Sequence, residues 1–129
     1  FRVYPLSVDY EGFKHLLAEG VDCYVLNTGE FMGKKIESKM TLEIIEAIVE
    51  ERAHFVPWED FSGLQIMEIE GFVPNFKDEN HREQFASRIK DRIKFVKDRD
   101  TEKGGFDKLP PEAGKALEDI LQGINNLAS

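Results

Sequence analysis

The sequence predicts an α+β (mixed α/β) fold, a small sheet packed with about four helices, and three observations lead there. Apolar residues recur at helical spacing in four stretches, short β-rich runs stand between the first and third of them, and a glycine-, proline- and charge-rich loop separates the last two. The 129 residues fit one domain, 1–129, and the 41% hydrophobic content is ordinary for a globular protein.

The opening "FRVYPL" reads as strand-like. It begins with Phe1 rather than Met and without any lead-in, so the chain is expected to be cut from something longer. Over 9–19, Phe13, Leu16 and Leu17 fall at helical spacing and Gly20 supplies a C-terminal stop. "DCYVLN" is a compact apolar run between Gly20 and the turn residues "NTG", which predicts a buried strand. From 41 to about 52, Leu42, Ile45, Ile48 and Val49 share one face while Glu43, Glu46 and Glu50 lie mostly off it, predicting a helix that Thr41 can cap. "HFVPW" and "LQIMEIEGFV" read as two strands that pair with each other.

Asn80 followed by Glu83 resembles a capping box, and Phe85, Ile89, Ile93 and Val96 then mark a long amphipathic helix whose charges form a solvated face. After the loop "RDTEKGGFDKLPP", Pro111 opens a last helix with Ala113, Leu117, Ile120, Leu121 and Ile124 on one face.

Charge and residue content exclude several functions. With 25 Asp and Glu against 17 Lys and Arg the formal charge is −8, and an acidic surface repels nucleic acid and anionic lipid. No apolar run approaches the ~20 residues of a membrane span. The single cysteine, Cys23, is expected to be a small buried hydrophobe in a cytoplasmic protein. His15, His54 and His81 lie far apart, with no partner at i+3 or i+4 that would suggest a local metal motif. Ser38, Ser62, Ser87 and Ser129 sit in no nucleophile elbow. Trp58 suits packing at a strand end better than stacking on a ligand.

The stretch "VLNTGEFMGKKIESKMTLEII", residues 25–45, has the ingredients of a phosphate loop but not its pattern. A Walker loop needs four residues between its glycines and a hydroxyl after the lysine; here Gly29 and Gly33 enclose three, and Lys35 stands where the hydroxyl belongs. What remains is a positive island of Lys34, Lys35 and Lys39 beside a helix start, where an anion could be held. A plain connection whose lysines are merely solvated fits the same pattern.

"CYVLNTG", "GKKI" and "MTLEIIEAI" together resemble the C-terminal part of the ATP-dependent phosphoenolpyruvate carboxykinases. In that family a strand ending in Leu-Val-Asn-Thr-Gly is followed by a glycine-containing loop, Gly-Lys-Arg-Ile, and a Thr-Arg-containing helix start. The resemblance concentrates in residues 23–48 and extends through "HFVPWEDFSGLQI" and the long helix after Asn80. It implies that Lys35, Ile36 and Thr41 belong to a nucleotide-binding site, with Lys35 at the phosphates or base, Ile36 against the base and Thr41 offering a hydroxyl or backbone contact. Glu30, Lys35 and Leu42 stand where the family has tryptophan, arginine and arginine. Lysine keeps the charge of arginine but not its planar fork.

The implied parent converts oxaloacetate and ATP to phosphoenolpyruvate, ADP and CO₂ using ATP and divalent Mg or Mn. Its Walker-type loop, metal-binding acid, and metal-holding histidine and lysine all lie upstream of the matching region. This chain is accordingly expected to hold no catalytic or metal residue and, alone, no cofactor. Its expected partners are the rest of the parent chain and a nucleotide, with self-association of the separated piece through apolar surface. The alternative is a non-catalytic scaffold or interaction domain of a diverged relative that has lost nucleotide binding.

Overall fold

The computed structural model describes residues 3–61 and 63–127. Phe1 and Arg2 of the strand-like opening, and Ser62 and Ser129 among the serines, lie outside the described residues. The fold is α+β, and the described residues form four α-helices and two separate two-stranded antiparallel sheets in place of the single small sheet expected. In chain order these are α1 (Leu6–Ala18), β1 (Glu30–Phe31), β2 (Lys34–Lys35), α2 (Ser38–Val49), β3 (Phe55–Pro57), β4 (Gln65–Met67), α3 (Glu79–Arg99) and α4 (Pro111–Asn126). They divide into two compact units, Phe1–Cys23 with Phe76–Ser129, and Tyr24–Asn75.

The first unit is built on α3 and α4, which pack along each other in opposite senses. Lys97 near the end of α3 pairs with Glu118 midway along α4 at 3.2 Å, whereas Arg82 near the start of α3 and Asn125 at the end of α4 line the same hollow. The expected faces are the ones used. Ile124 is fully buried, and Phe85, Ile89, Ile93, Val96, Leu117, Ile120 and Leu121 are half-buried between polar neighbours. Pro111 stands in the first turn of α4, where its missing N–H costs nothing.

The cap of α3 differs from expectation. Asp78, two residues before Asn80, accepts from the N–H groups of Asn80 and His81 at 2.9 and 3.3 Å. Asn80 and Glu83 therefore lie inside the helix. An aspartate is as good a cap as an asparagine, and the earlier start adds hydrogen bonds.

α1 begins at Leu6, three residues before the expected 9, so residues 3–5 of the strand-like opening form no strand. Its stop is as expected. Gly20, at φ 78°, donates to the Leu17 carbonyl while Val21 donates to that of Leu16, the paired bonds of a glycine-terminated helix. α1 has no side-chain cap of its own and no buried residue. Its first N–H, on Leu6, instead donates to Asp107 Oδ1 at 3.0 Å, and Lys14 pairs with Glu112 at 3.3 Å.

The bond to Glu112 raises the Lys14 pKa, and Glu112 is lowered by its own backbone N–H and then by Lys14. Glu112's share of this tie is present above its unfolded pKa and lost as pH falls through the lowered one. Lys14's share is present below its unfolded pKa and lost as pH rises through the raised one. Both groups are solvated, so the tie is weak.

In the second unit, β3 and β4 pair in register, Val56 opposite Ile66, as the sequence predicted. Trp58 follows β3 and meets Phe61 edge-on at 5.4 Å, which matches its expected place at a strand end. α2 starts at Ser38 after Glu37, not at Thr41, and ends at Val49. Its stop lacks a glycine: Glu51 takes φ 56° while Glu51 and Arg52 donate to the Ile48 and Ala47 carbonyls. A side chain in that left-handed conformation costs on the order of 1 kcal/mol. Glu51→Gly is therefore expected to stabilise the protein by about 1 kcal/mol in chemical denaturation, and an unchanged midpoint would show that this residue carries no strain.

The expectation that fails most clearly is the buried strand at "DCYVLN". Residues 21–28 form no strand, Val25 is 100% exposed and Cys23 is exposed rather than buried. A strand buried on both faces needs a hydrogen-bonding neighbour and apolar cover, and the described residues supply neither.

Candidate functional site

The segment that follows is a tight hairpin running into a helix. Asn27 organises its entry: its Oδ1 accepts from the Gly29 N–H at 3.1 Å and its Nδ2 donates to the Glu30 carbonyl at 3.0 Å. Glu30 then pairs with Lys35 and Phe31 with Lys34 across a two-residue turn at Met32 and Gly33. Both turn residues have positive φ, 50° and 78°, the twist that suits a two-residue hairpin. One further bond, Ile36 N–H to the Gly29 carbonyl at 2.9 Å, closes the ladder just before α2. Sequence reading took this part as a loop.

The three lysines diverge. Lys34 and Lys35 are consecutive on a strand and so leave opposite faces. Lys34 Nζ donates to the Gly71 carbonyl at 3.3 Å and lies 5.7 Å from the centre of the Phe72 ring. Phe31 packs on the same ring at 6.1 Å. Lys34 thus fastens the hairpin to the Gly71–Phe72 turn. Lys39 lies along α2 and pairs with Glu43 at 3.7 Å. Lys35 is exposed and makes no ion pair or side-chain hydrogen bond among the described residues.

Of the other two expected site residues, Ile36 is buried in its own unit at 9% exposure. Thr41 is half-buried in the first turn of α2, where its N–H donates to the Glu37 carbonyl at 3.2 Å. Its hydroxyl makes no protein hydrogen bond among the described residues. The start of α2 has no side-chain cap bond and no acidic residue in its first turn, although its N-cap residue, Glu37, carries a carboxylate of its own.

Chemically, this amounts to one free ammonium, one free hydroxyl and an uncapped helix start. An ammonium and a hydroxyl of this kind can each donate to a phosphate oxygen. The set does not form a cradle of three cations. The described residues gather no group of three or more His, Cys, Asp or Glu that could hold a metal. Sequence reading identified the positive island but not the partners of Lys34 and Lys39, because Gly71 is remote in the chain and the Glu43 pair is one of several i,i+4 choices a helix offers.

No helix among the described residues is long and apolar enough to cross a membrane. Comparison with known proteins adds no relative, since no family model, curated protein or solved structure matches the chain.

Proposed function

We propose that this chain is the C-terminal, nucleotide-facing portion of a protein similar to the ATP-dependent phosphoenolpyruvate carboxykinases. In this reading it lends one wall to a pocket whose remaining walls, metal and catalytic groups belong to the parent. The observation that carries the reading is Lys35: within the motif that resembles the family's Gly-Lys-Arg-Ile, it is the lysine left without a protein partner among the described residues. It stands six residues before Thr41, in the first turn of an uncapped helix. Lys35 contacts phosphate, the Thr41 hydroxyl donates to a phosphate or ribose oxygen, and Ile36 holds the bend from the core side.

The test is titration of the full-length parent with ATP and GTP. Lys35→Ala is expected to weaken nucleotide binding about tenfold, the scale of one lost charge-assisted hydrogen bond. Lys35→Arg is expected to retain or tighten it, because the guanidinium fork can grip two phosphate oxygens. Absence of measurable affinity in the unmutated parent would overturn the proposal.

A second reading, a scaffold domain without nucleotide binding, is favoured by the engagement of Lys34 and Lys39 with Gly71, Phe72 and Glu43. Those bonds give two of the three lysines structural work. Under this reading Lys35→Ala leaves every nucleotide titration unchanged.

A further inference from the structure

We propose that the hollow between α3 and α4 binds a linear dianion, two carboxylates joined by a methylene chain. The hollow is a solvent-open groove of about 390 Å³. Arg82 and Lys90 on α3 both line it. They are eight residues apart on one helix, so their backbone anchors stand about 12 Å from each other along the axis. Ala86 lies midway between them, and Ile124 of α4 closes the floor. A cation toward each end and an apolar middle match a ligand with a charge at each end and methylenes between. Ser87 and Asn125 add a hydroxyl and an amide to the walls.

Cations without a carboxylate occur elsewhere in this unit, at Arg88, Arg92, Lys103 and Lys115, but among the described residues only Arg82 and Lys90 also line the hollow. Lys14, Lys94, Lys97, Arg99 and Lys108 each meet a carboxylate. Arg82 and Lys90 meet none among the described residues, in a chain where acids outnumber bases 25 to 17. Arg82 is half-buried and its Nη1 is fixed on the Phe76 carbonyl at 3.0 Å, which holds the guanidinium in place without neutralising it. Glu83 also lines the hollow without a partner among the described residues. Its carboxylate brings the lining to a net formal charge of +1, so the hollow disfavours a compact polyphosphate, and a dianion is held only by its two ends meeting the separated cations. The proposal rests on residues of the α3–α4 unit alone and is independent of the nucleotide reading.

The probe is adipate, titrated into the full chain by calorimetry and by backbone amide shifts, with acetate and 1,6-hexanediol as controls. Adipate is expected to bind at least tenfold more tightly than either control and to move the amides of Ala86, Ser87 and Asn125. Lys90→Gln removes no hydrogen bond or ion pair to any of the described residues and is expected to weaken adipate about tenfold while leaving the far-ultraviolet dichroism unchanged. Arg82→Gln should do the same, but because Arg82 also bonds Phe76, Lys90 decides the matter. Adipate binding no tighter than acetate or hexanediol, or an affinity unmoved by Lys90→Gln, would overturn the proposal.

Discussion

Replacing Ile124 by alanine is expected to remove about 3 kcal/mol from the stability of the α3–α4 unit. Ile124 is the one large side chain among the described residues with no accessible surface, and it comes from the last turns of α4, where it faces α3. Truncating a buried isoleucine loses its transfer free energy and leaves a cavity, together about 2–5 kcal/mol. Folded domains are stable by only about 5–15 kcal/mol, so one such loss is a large fraction of the whole. Denaturant unfolding followed by helical dichroism measures it, with Ile120→Ala as the comparison. Ile120 shares the face but is only half-buried, so its truncation should cost visibly less. Equal losses at both positions would show that burial does not set the energetics of this face. Ile124 also floors the hollow proposed to bind a dianion, so its removal should loosen adipate as well.

The same helix shows what could be read in advance. Pro111 marked its start and the spacing from Ala113 to Ile124 its buried face, because both signals are local and both act within a few residues. Gly20 announced the end of α1 for the same reason. The end of α2 carried no such signal, since the residue that takes the left-handed turn is Glu51, and sequence alone extended the helix to about Arg52. The β1–β2 hairpin escaped notice because Met32-Gly33 is not the usual Asn-Gly pair, although Gly33 supplies half of the required backbone twist. The apolar run at 22–27 looks buried by composition, yet burial is a property of neighbours, and none of the described residues covers Val25. At the candidate site the order Lys35, Ile36, Thr41 was visible. Which lysine stays unpaired was not, because that depends on a carbonyl at Gly71 and a carboxylate at Glu43.

Asp107 tests the most distant of these hidden dependencies, and Asp107→Ala is expected to release α1 while leaving α3 and α4 folded. The carboxylate is buried, at 8% exposure, and its Oδ1 accepts the Leu6 N–H across 101 residues of sequence. It thus acts as the cap that the preceding Pro5, which has no suitable side chain, cannot provide. Its negative charge also meets the positive end of the helix dipole. Alanine leaves a part-buried N–H unsatisfied and removes that charge, a cost of about 1–3 kcal/mol. Because α1 buries no side chain, and its Lys14–Glu112 tie is exposed, the loss should register in this helix first. Hydrogen exchange should accelerate across Val8 to Leu17, whereas amides in the middle of α3 should keep their protection. Asp107→Asn retains an acceptor of nearly the same shape without the charge, so its effect should fall between wild type and alanine. Exchange in α1 that is unchanged by the alanine variant would mean that some contact other than this carboxylate holds the helix.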